Sequence, residues 1–407
     1  MRKSLSAIVA TALVAAGALA APASAATVPP AKSTTATCAN IILLGVAGSD
    51  ERTPAQIKSH NGFGSTIKSL LTQIETDLKA SSYRAKSVTT FSKEALDYPA
   101  AAVPKTINAE TVKNYVKSAD QGVTALRNRI TKLRTTCPSS KVVIAGYSQG
   151  AWVTHAALAS FGTNTDAVKN IKATVLFADP NNNTSVMYGN LIDNAGKHVW
   201  ESQWNKIKGL GTVADGALST LSSANPVTKK FWQEYVKNVK KIDRLRPGKY
   251  SALLKDPNRT VSVCSNRDPL CSFGSRTLPG IASWTAHTDT YKKAAVSQLL
   301  SAYVVPRVMP SAGNGVCDPG ELCAYTNKAK SGLVLDSSKI GGTQVVTGFK
   351  RDTISSVWNR SMYRWSAVNK RTGLPDQRLV MEPLQYRADL TTVKWNDKID
   401  HFDVLKD

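Results

Sequence analysis

The stretch that decides the fold is VVIAGYSQG, from Val142 to Gly150. An apolar run that ends in Gly-x-Ser-x-Gly is the sequence form of a nucleophile elbow, in which a serine occupies a sharp turn from a strand into a helix. The residues from Ala151 to Leu158 continue at helical spacing. That helix would point its free N–H groups and the positive end of its dipole at Ser148, which makes Ser148 the candidate nucleophile.

Predicted strands and helices alternate on both sides of this turn. We predict strands at Asn40–Val46, Lys141–Ala145, Ala173–Ala178 and Arg259–Cys264, and helices at Ser65–Leu78, Glu110–Leu133, after Ser148 and at Tyr291–Tyr303. Such alternation is typical of a doubly wound parallel α/β sheet. In that architecture the functional loops lie beyond the carboxyl ends of the strands.

The first 26 residues have the composition of a secretory signal peptide. Arg2 and Lys3 precede an apolar stretch that ends in Ala23-Ser24-Ala25, an A-x-A cleavage site. A membrane anchor is the alternative, but the stretch is rich in alanine and ends in small residues. No later run approaches the roughly 18 apolar residues that a membrane span needs. We therefore expect a secreted, extracellular protein without a membrane span, with residues 27–37 as a linker.

The chain is strongly basic, with 52 Lys and Arg against 29 Asp and Glu. Removal of Arg2 and Lys3 with the signal peptide leaves 50 basic residues and a net charge of +21. Such a charge favours anionic partners. No nucleic-acid motif is present and the basic residues are spread along the whole chain, so we expect adhesion to acidic cell-wall polymers and no nucleic-acid binding.

The six cysteines fall into sequence pairs. An even number of cysteines in an exported protein favours disulfides. Metal binding is the alternative, but no Cys-x-x-Cys pair or nearby histidine supports it, and we predict neither a metal nor an organic cofactor. Fifteen connectivities are formally possible, and we infer the pairing in sequence order: Cys38 with Cys137, Cys264 with Cys271, and Cys317 with Cys323.

The length of 407 residues is enough for two domains. We predict one domain over residues 38–305, a linker over 306–314 and a second domain over 315–407. Within the first domain, residues 181–255 form a basic segment of helical character, interpreted as a lid, a docking surface or a solvated insertion. The second domain has short β-like runs and a weak 45-residue repeat between residues 351–356 and 396–401, which suggests a small Greek-key fold.

A serine hydroxyl needs a histidine to accept its proton and a carboxylate to orient that histidine. His287 is the candidate base, because it follows Ser148 and lies in a loop before a predicted helix. The other histidines lie before the elbow, on the helix after it, inside the basic segment and near the C-terminus: His60, His155, His198 and His401.

Two aspartates between Ser148 and His287 are candidates for the carboxylate. Asp268 lies between Cys264 and Cys271, and a disulfide across so short a loop would hold the carboxylate in place. Asp179 also ends a predicted strand, although its position before Pro180 is typical of a turn. We favour Asp268.

Together these residues resemble the cutinase family of serine esterases, from Cys38 to Tyr303. The similarity rests on Gly-Tyr-Ser-Gln-Gly-Ala at the elbow, Cys-x3-Asp-x2-Cys around the acid, the position of Cys38 and Cys137, a Tyr-Pro-Ala element at Tyr98–Ala100, and the loop Val46–Glu51. The resemblance implies an oxyanion hole formed by Ser49, through its hydroxyl and backbone N–H, and by the N–H of Gln149. Two departures are Ala47, where the family often has arginine, and the long segment 181–255.

The expected activity is that of a serine carboxylic-ester hydrolase on a cutin-like polyester or another ester. The alternatives are a lipase or acyltransferase of the same fold, and a binding or protease-inhibitor protein with a vestigial hydrolase domain. Through the stretches Gly315–Cys317, Gly320–Tyr325 and Ile354–Asn359, the second domain resembles the βγ-crystallin-like peptidase inhibitors of the streptomycete metalloproteinase-inhibitor type. Calcium binding of the kind such domains offer is not expected, because Arg351 and Asp400-His401 replace the usual oxygen ligands.

Overall fold

Six strands of the first domain form one parallel sheet: β1 (Ile41–Val46), β2 (Phe91–Ala95), β3 (Lys141–Tyr147), β4 (Ile171–Phe177), β5 (Gly189–Ile192) and β6 (Thr260–Ser265). Their spatial order is β2-β1-β3-β4-β6-β5, and every neighbouring pair is parallel. The order reverses between β1 and β3, so the crevice expected to hold a ligand lies at the carboxyl ends of these two strands. The sheet confirms the predicted doubly wound α/β class.

This description rests on a computed structural model and covers residues 38–80, 90–106, 108–187, 189–193, 226–246, 248–268, 270–272, 284–309, 316–337, 343–345, 353–396 and 398–405. The predicted signal peptide and the linker 27–37 lie outside these residues. Among the described residues, no helix is both long and apolar enough to cross a membrane.

Helices cover both faces of the sheet: α1 (Pro54–His60), α2 (Ser65–Ala80), α3 (Ala109–Thr136), α4 (Gln149–Ala159), α5 (Pro226–Val239), α6 (Ala252–Lys255), α7 (Trp284–Thr288) and α8 (Ala294–Val308). Alternate residues of β3 enter different cores. Val142 and Ile144 pack with α3 and α4, whereas Val143 and Ala145 pack with α2 and α8. Because β3 is buried on both faces, its sequence is continuously apolar instead of alternating.

The basic segment 181–255 is part of the fold in its described portions. β5 adds a strand to the sheet edge beside β6, although we expected only helical structure here. On α5, Tyr235, Val236 and Val239 are buried in the core formed with α3 and α4. A solvated insertion is therefore wrong for these residues. The interpretations of the segment as a lid or a docking surface stay predictions, and residues 194–225 of the segment lie outside the described residues.

The last helix of the first domain is displaced from its prediction. α8 begins at Ala294 and continues through Pro306 to Val308, whereas we expected a helix from Tyr291 and a linker from Pro306. A proline breaks a helix because it cannot donate to the carbonyl four residues earlier. That carbonyl belongs to Ala302, and Pro306 lies in the last turn of α8, so only the end of the helix loses a hydrogen bond.

Over its described residues, the C-terminal domain contains two four-stranded antiparallel sheets. Its strands are β7 (Leu322–Tyr325), β8 (Leu333–Ser337), β9 (Thr343–Val345), β10 (Ser356–Asn359), β11 (Trp365–Asn369), β12 (Gln377–Met381), β13 (Tyr386–Arg387) and β14 (His401–Val404). The sheet orders are β13-β10-β7-β8 and β12-β11-β14-β9. Strands β7–β10 and β11–β14 form two consecutive groups of four. In each group the third strand, β9 or β13, lies in the sheet that the other group mainly forms. The 45-residue sequence repeat matches this symmetry. β10 begins at the last residue of the first copy, 351–356, and β14 begins at the last residue of the second copy, 396–401.

The C-terminal domain packs on α8. The Arg307 guanidinium donates to the Tyr363 hydroxyl at 2.8 Å, and Met362 is buried in the core shared by α2 and α8. Lys141, the first residue of β3, donates to the carbonyl of Val308. The docking surface therefore lies at the amino end of the sheet, opposite the carboxyl ends of β1 and β3.

Candidate active site

Ser148 occupies a strained turn between β3 and α4. Its φ is +54° and its ψ is −115°, a conformation that residues with a side chain rarely adopt. The backbone N–H of Ser148 donates to the carbonyl of Phe177, the last residue of β4, at 2.9 Å. This bond and the helix that follows fix the hydroxyl at the carboxyl end of the sheet.

The two glycines of the elbow allow close backbone contacts. A Cβ on Gly150 would lie 2.2 Å from the carbonyl oxygen of Val46 and 2.4 Å from that of Ala47. A Cβ on Gly146 would lie 2.5 Å from the carbonyl oxygen of Gly150. Neither glycine has a positive φ, so both are required for space and not for backbone conformation. Gly150 brings the start of α4 against the loop after β1.

The structure brings the three predicted triad side chains together. His287 Nε2 lies 2.9 Å from Ser148 Oγ, and His287 Nδ1 lies 2.9 Å from Asp268 Oδ2. All three side chains are buried, with exposed fractions of 6% for Ser148, 6% for His287 and 0% for Asp268. The distances suit proton transfer from the hydroxyl to the imidazole and a fixed imidazole tautomer.

Three donors hold the Asp268 carboxylate. His287 Nδ1 and the hydroxyl of Tyr291 both contact Oδ2, the latter at 2.6 Å, and the N–H of Leu270 donates to Oδ1 at 2.8 Å. Burial alone would raise the pKa of Asp268, but these three partners together outweigh burial, and the pKa lies below its ordinary value of 3.8. Asp268 is therefore ionised at neutral pH.

Tyr147 holds the backbone of the candidate base. Its hydroxyl donates to the carbonyl of His287 at 2.6 Å, and its ring stacks on the imidazole with 5.4 Å between centroids. Burial raises the pKa of Tyr147 far above 10, so the hydroxyl stays protonated as a donor. The residue before the elbow serine thus restrains the histidine 140 positions later.

The loop after β1 carries Ser49 and is held at several points. The hydroxyl of Tyr98 donates to the carbonyl of Ala47, and the N–H of Asp50 donates to the carbonyl of Ala100 at 2.8 Å. The half-buried Glu51 carboxylate accepts from the N–H groups of Gly48, at 2.8 Å, and Ser65, at 3.1 Å. These contacts explain the Tyr-Pro-Ala element as a support for the loop.

Of the predicted oxyanion residues, Gln149 belongs to the elbow and Ser49 to the loop after β1. Ser49 Oγ lies 3.2 Å from the hydroxyl of Tyr115, and Gln149 is the first residue of α4, with its side-chain amide 3.5 Å from the carbonyl of Ala101. The N–H groups of a helix N-terminus have no partner within the helix, which suits the Gln149 N–H to an oxyanion.

Asp179, the alternative acid, is paired elsewhere. Its Oδ2 lies 2.6 Å from Nδ1 of His155, a buried residue of α4. The turn interpretation also holds, since Asp179 Oδ1 accepts from the N–H of Asn181 at 2.9 Å. The geometry therefore favours Asp268 over Asp179 as the partner of His287.

The six cysteines form the disulfides Cys38–Cys137, Cys264–Cys271 and Cys317–Cys323. Among the described residues, one group of His, Cys, Asp or Glu side chains has metal-like spacing, namely Cys317, Glu321 and Cys323. Both of its sulfurs belong to a disulfide, and a metal requires thiolates. This group is therefore a poor candidate for a metal centre.

Sequence reasoning missed the supporting tyrosines and the pairing of His155 with Asp179. Tyr291 follows His287 by four residues, a spacing at which side chains of a helical turn lie on one face. That spacing was a usable signal for a second partner of the carboxylate. No comparable signal linked His155 to Asp179, because the pair depends on how α4 packs against the end of β4.

Comparison with known proteins extends these observations. The profile of the cutinase family matches residues 37–308, and that of peptidase inhibitor family I36 matches residues 310–370. Acetylxylan esterase 2 of Talaromyces purpureogenus is 32% identical over 99 residues, which cover 21% of this chain and 41% of that protein. Cutinase CUT1 of Coprinopsis cinerea is 33% identical over 88 residues, which cover 21% and 38% of the two chains.

The chain thus spans about two fifths of the length of the curated relatives it matches. Among solved structures, a cutinase-like protein from Cryptococcus sp. superposes with a TM-score of 0.41 and 17% identity, covering 68% of this chain and 98% of that chain.

Proposed function

The chain belongs to the cutinase family, and we propose that it is a secreted serine carboxylic-ester hydrolase. The observation that carries the proposal is the contact series from Ser148 Oγ to His287 Nε2 and from His287 Nδ1 to Asp268, each at 2.9 Å. A hydroxyl, an imidazole and an ionised carboxylate in this order form the arrangement that performs acyl transfer on several unrelated folds.

In the acylation step, Ser148 Oγ attacks the carbonyl carbon of the ester while His287 Nε2 accepts the hydroxyl proton. The tetrahedral intermediate collapses as the C–O bond to the alcohol breaks and His287 returns the proton to the departing oxygen. The acyl group remains on Ser148. Asp268 stays ionised and stabilises the imidazolium that forms between the two proton transfers.

The carbonyl oxygen becomes an oxyanion in this intermediate. We assign its stabilisation to the N–H groups of Ser49 and Gln149 and to the Ser49 hydroxyl. The close approach of Gly150 to the loop after β1 supports this assignment, because it brings the two donor segments together. Fixed donors aimed at developing charge contribute more to such reactions than any other single effect.

In the deacylation step, a water molecule attacks the acyl carbon and His287 accepts its proton. The intermediate then expels Ser148 Oγ, which recovers that proton, and the carboxylic acid leaves. No metal or organic cofactor is needed for this cycle. A lipase would use the same steps on long acyl chains, and an acyltransferase would use an alcohol in place of water.

The substrate is an ester of a polymer or of a soluble alcohol. Cutin-like polyester and acetylated polysaccharide are the leading classes, because the relatives named above are a cutinase and an acetylxylan esterase. A hydrolysis profile over p-nitrophenyl esters of increasing acyl length, one insoluble polyester and one acetylated xylan separates these classes. The same profile with an added alcohol detects transferase activity.

The test of the mechanism is Ser148→Ala together with labelling by a fluorophosphonate. The wild-type chain is expected to lose activity as one phosphonate attaches to Ser148, and Ser148→Ala is expected to be unlabelled and inactive on p-nitrophenyl acetate. The circular-dichroism spectrum of the variant should match that of the wild type. Activity in a correctly folded Ser148→Ala protein would exclude the mechanism.

We also propose that the protein adheres to acidic cell-wall polymers through the amino end of the sheet. Lys169, Lys172 and Arg259 line a shallow cavity of about 400 Å³ there, together with Thr165 and Asp166. Burial lowers the pKa of Lys172, and the nearby Arg259 and Lys169 lower it further. A polyanion bound here would leave the opposite end of the sheet open to substrate.

The double substitution Lys169→Glu/Lys172→Glu tests this surface. It should lower the salt concentration that elutes the protein from immobilised polygalacturonate by at least twice as much as Lys113→Glu/Lys117→Glu, which changes the same charge on an exposed part of α3. Equal shifts would show that only the net charge matters.

A second candidate function concerns the C-terminal domain, which the peptidase inhibitor profile favours. If the chain is chiefly an inhibitor, full-length Ser148→Ala should block a metallopeptidase as well as the wild-type chain does. Hydrolysis and inhibition would then be independent properties of the two domains.

A further inference from the structure

A second histidine–aspartate pair lies in the core beside the proposed triad. His155 and Asp179 have exposed fractions of 1% and 0%, and His155 Nδ1 lies 2.6 Å from Asp179 Oδ2. The other ring nitrogen, Nε2, lies 3.1 Å from the carbonyl oxygen of Lys249. Since both neighbours of the ring are acceptors, both nitrogens carry a hydrogen, and the pair is an imidazolium with a carboxylate.

His155 does not act directly on the substrate. It follows Ser148 by seven residues on α4, which is about 10 Å along the helix axis, and both of its nitrogens are occupied. Tyr250 contacts the ring edge-on, with 5.0 Å between centroids. The pair is closed to solvent and to a bound ester.

The contacts of Asp179 continue to the loop that carries the proposed acid. The carbonyl of Asp179 accepts from the N–H of Asn182 at 3.0 Å, and the Asn182 side chain donates to the carbonyl of Cys271 at 3.2 Å. Cys271 closes the disulfide loop that contains Asp268. Three links therefore join His155 to the segment that presents the Asp268 carboxylate.

A further contact ties in the end of the basic segment. The Tyr250 hydroxyl donates to the carbonyl of Asn181 at 3.0 Å, beside the bond between His155 and Lys249. The pair thus connects α4, the turn after β4, residues 249–250 and the disulfide loop. Through α4 it is also connected to Ser148.

We propose that His155 and Asp179 are positioning residues that set the Asp268 loop relative to the elbow helix. The inference rests on the proposed hydrolase mechanism, because it assigns the pair a role in aligning that triad. A buried ion pair is a weak source of stability, since apolar residues of similar size are often as stable. Its specific contribution here is the geometry of the segments that it joins.

The experiment compares Asp179→Asn with the double substitution His155→Leu/Asp179→Asn in the full chain. Asp179→Asn leaves a buried imidazolium without its counter-charge, so both stability and turnover should fall. The double variant removes both charges, while the side-chain amide introduced by Asp179→Asn can still accept from the N–H of Asn181. It should recover most of the lost thermal stability.

The double variant should keep a roughly tenfold reduced kcat on p-nitrophenyl acetate, with KM within twofold of wild type. A merely structural pair predicts that kcat recovers together with stability, and that result would overturn the proposal. If Asp179→Asn fails to fold, the double variant alone decides between the two outcomes.

Two further variants keep the readouts separate. Ser140→Ala removes a buried hydrogen bond to the carbonyl of Ala39 at the amino end of the sheet, so it should lower stability and leave kcat unchanged. Asn182→Ala should reduce kcat in the wild type and have a smaller effect in Asp179→Asn, because both act on one connection. Additive effects would contradict the connection.

Ser148→Ala separates this proposal from the mechanism on which it rests. An inactive Ser148→Ala together with a fully active His155→Leu/Asp179→Asn would refute only the positioning role. An active Ser148→Ala would refute the proposed function itself.

Discussion

Tyr291 donates its hydroxyl hydrogen to Asp268 Oδ2 at 2.6 Å, the same oxygen that faces the imidazole of His287. The hydroxyl also accepts from the N–H of Ser265 at 2.8 Å, so its orientation is fixed by the last residue of β6. Burial and the nearby carboxylate raise the pKa of Tyr291 well above 10, which keeps it a donor. The proposed acid is thus held by a side chain that the strand itself positions.

Tyr291→Phe should destabilise the ionised form of the Asp268 carboxylate, because it removes the hydroxyl that donates to Oδ2. A hydrogen bond to a charged group contributes about 1.5–3 kcal/mol, so we expect kcat/KM on p-nitrophenyl acetate to fall about tenfold at pH 7. Because the pKa of Asp268 is lowered in the folded state, its contribution to stability is present above pH 3.8 and is lost as pH falls through the folded value. When the pH is lowered, the Tyr291→Phe variant should therefore unfold at a higher pH than the wild type does.

The control for this effect is Tyr303→Phe, since Tyr303 is also buried in the same core but donates to the carbonyl of Pro257. It should lose stability without a change in kcat/KM or a selective change in acid unfolding. Unchanged kinetics in Tyr291→Phe would show that His287 and Leu270 suffice to hold the carboxylate.

Exchange of each candidate acid for asparagine should separate their roles. Asp268→Asn leaves the imidazole of His287 in the wrong tautomer, and turnover of p-nitrophenyl acetate should fall by roughly 10⁴. Asp179→Asn should cost about tenfold, because Asp179 contacts His155 and not His287. The reverse order would transfer the triad assignment to Asp179.

The parts of the fold that sequence predicted are those with strong local signals. β3 and α4 follow from an apolar run, a Gly-x-Ser-x-Gly turn and helical spacing, and they lie where the pattern placed them. β2 and β5 escaped prediction because they are edge strands. β2 is the sequence FSKEA, whose polar residues carry little strand signal, and its pairing with β1 is a tertiary contact.

The candidate site shows the same division. The sequence could indicate Ser148, Asp268 and His287 as the candidate triad, because motifs, chain order and cysteine spacing restrict the choice. The sequence could not indicate the supporting contacts of Tyr147 and His155, since each contact joins residues from distant parts of the chain. Short-range patterns report the chemistry of a residue, whereas only packing determines which partner holds it.

Gly150→Ala should inactivate the protein through the loop after β1. The added Cβ would meet two backbone carbonyls, of Val46 and Ala47, which cannot rotate away as a side chain would. The loop that carries Ser49 must shift, and loss of one oxyanion donor costs about 10²–10³ in kcat. Steady-state kinetics on p-nitrophenyl acetate measure this loss.

Gly162→Ala is the matched control for this substitution. Gly162 has a φ of +55° and no atom within 4 Å of an added Cβ, so only backbone strain of about 1 kcal/mol is introduced. A small loss of stability with unchanged kcat is expected. Equal activity in Gly150→Ala and Gly162→Ala would argue against the assignment of Ser49.

The stability of the wild type should decrease above neutral pH because of His155. Burial would lower the pKa of His155, but Asp179 and the carbonyl of Lys249 raise it above 6.5. A raised pKa means that this contribution is complete below pH 6.5 and is lost as pH rises through the folded value. Two tyrosines are titratable neighbours of the pair: Tyr250, which contacts the ring edge, and Tyr235, whose pKa burial raises well above 10.

Urea titrations at pH 6, 7, 8 and 9 measure this contribution as the difference in unfolding free energy between wild type and His155→Leu/Asp179→Asn. As pH rises, the unfolding free energy of the wild type should fall relative to that of the variant, because the variant has no imidazolium that can lose its proton. A constant difference over this range would mean that folding does not raise the pKa of His155, and would contradict an imidazolium in the folded state.

Gly320→Ala should loosen the contact between the two domains without affecting hydrolysis. Gly320 has a φ of +95°, and an added Cβ would lie 2.4 Å from the Pro306 ring and 2.7 Å from the carbonyl oxygen of Ala302. Overpacking costs about 1–3 kcal/mol, and the positive φ adds roughly 1–2 kcal/mol. Differential scanning calorimetry should show the C-terminal domain unfolding earlier than in the wild type.

Gly373→Ala provides the comparison within the same domain, because Gly373 has a φ of +73° but open space around an added Cβ. It should shift the unfolding temperature less than Gly320→Ala does. Both variants should hydrolyse p-nitrophenyl acetate at the wild-type rate, since α8 meets Gly320 at the end of the sheet opposite Ser148. A loss of hydrolysis in Gly320→Ala alone would instead indicate that docking of the C-terminal domain is transmitted along α8 to the triad.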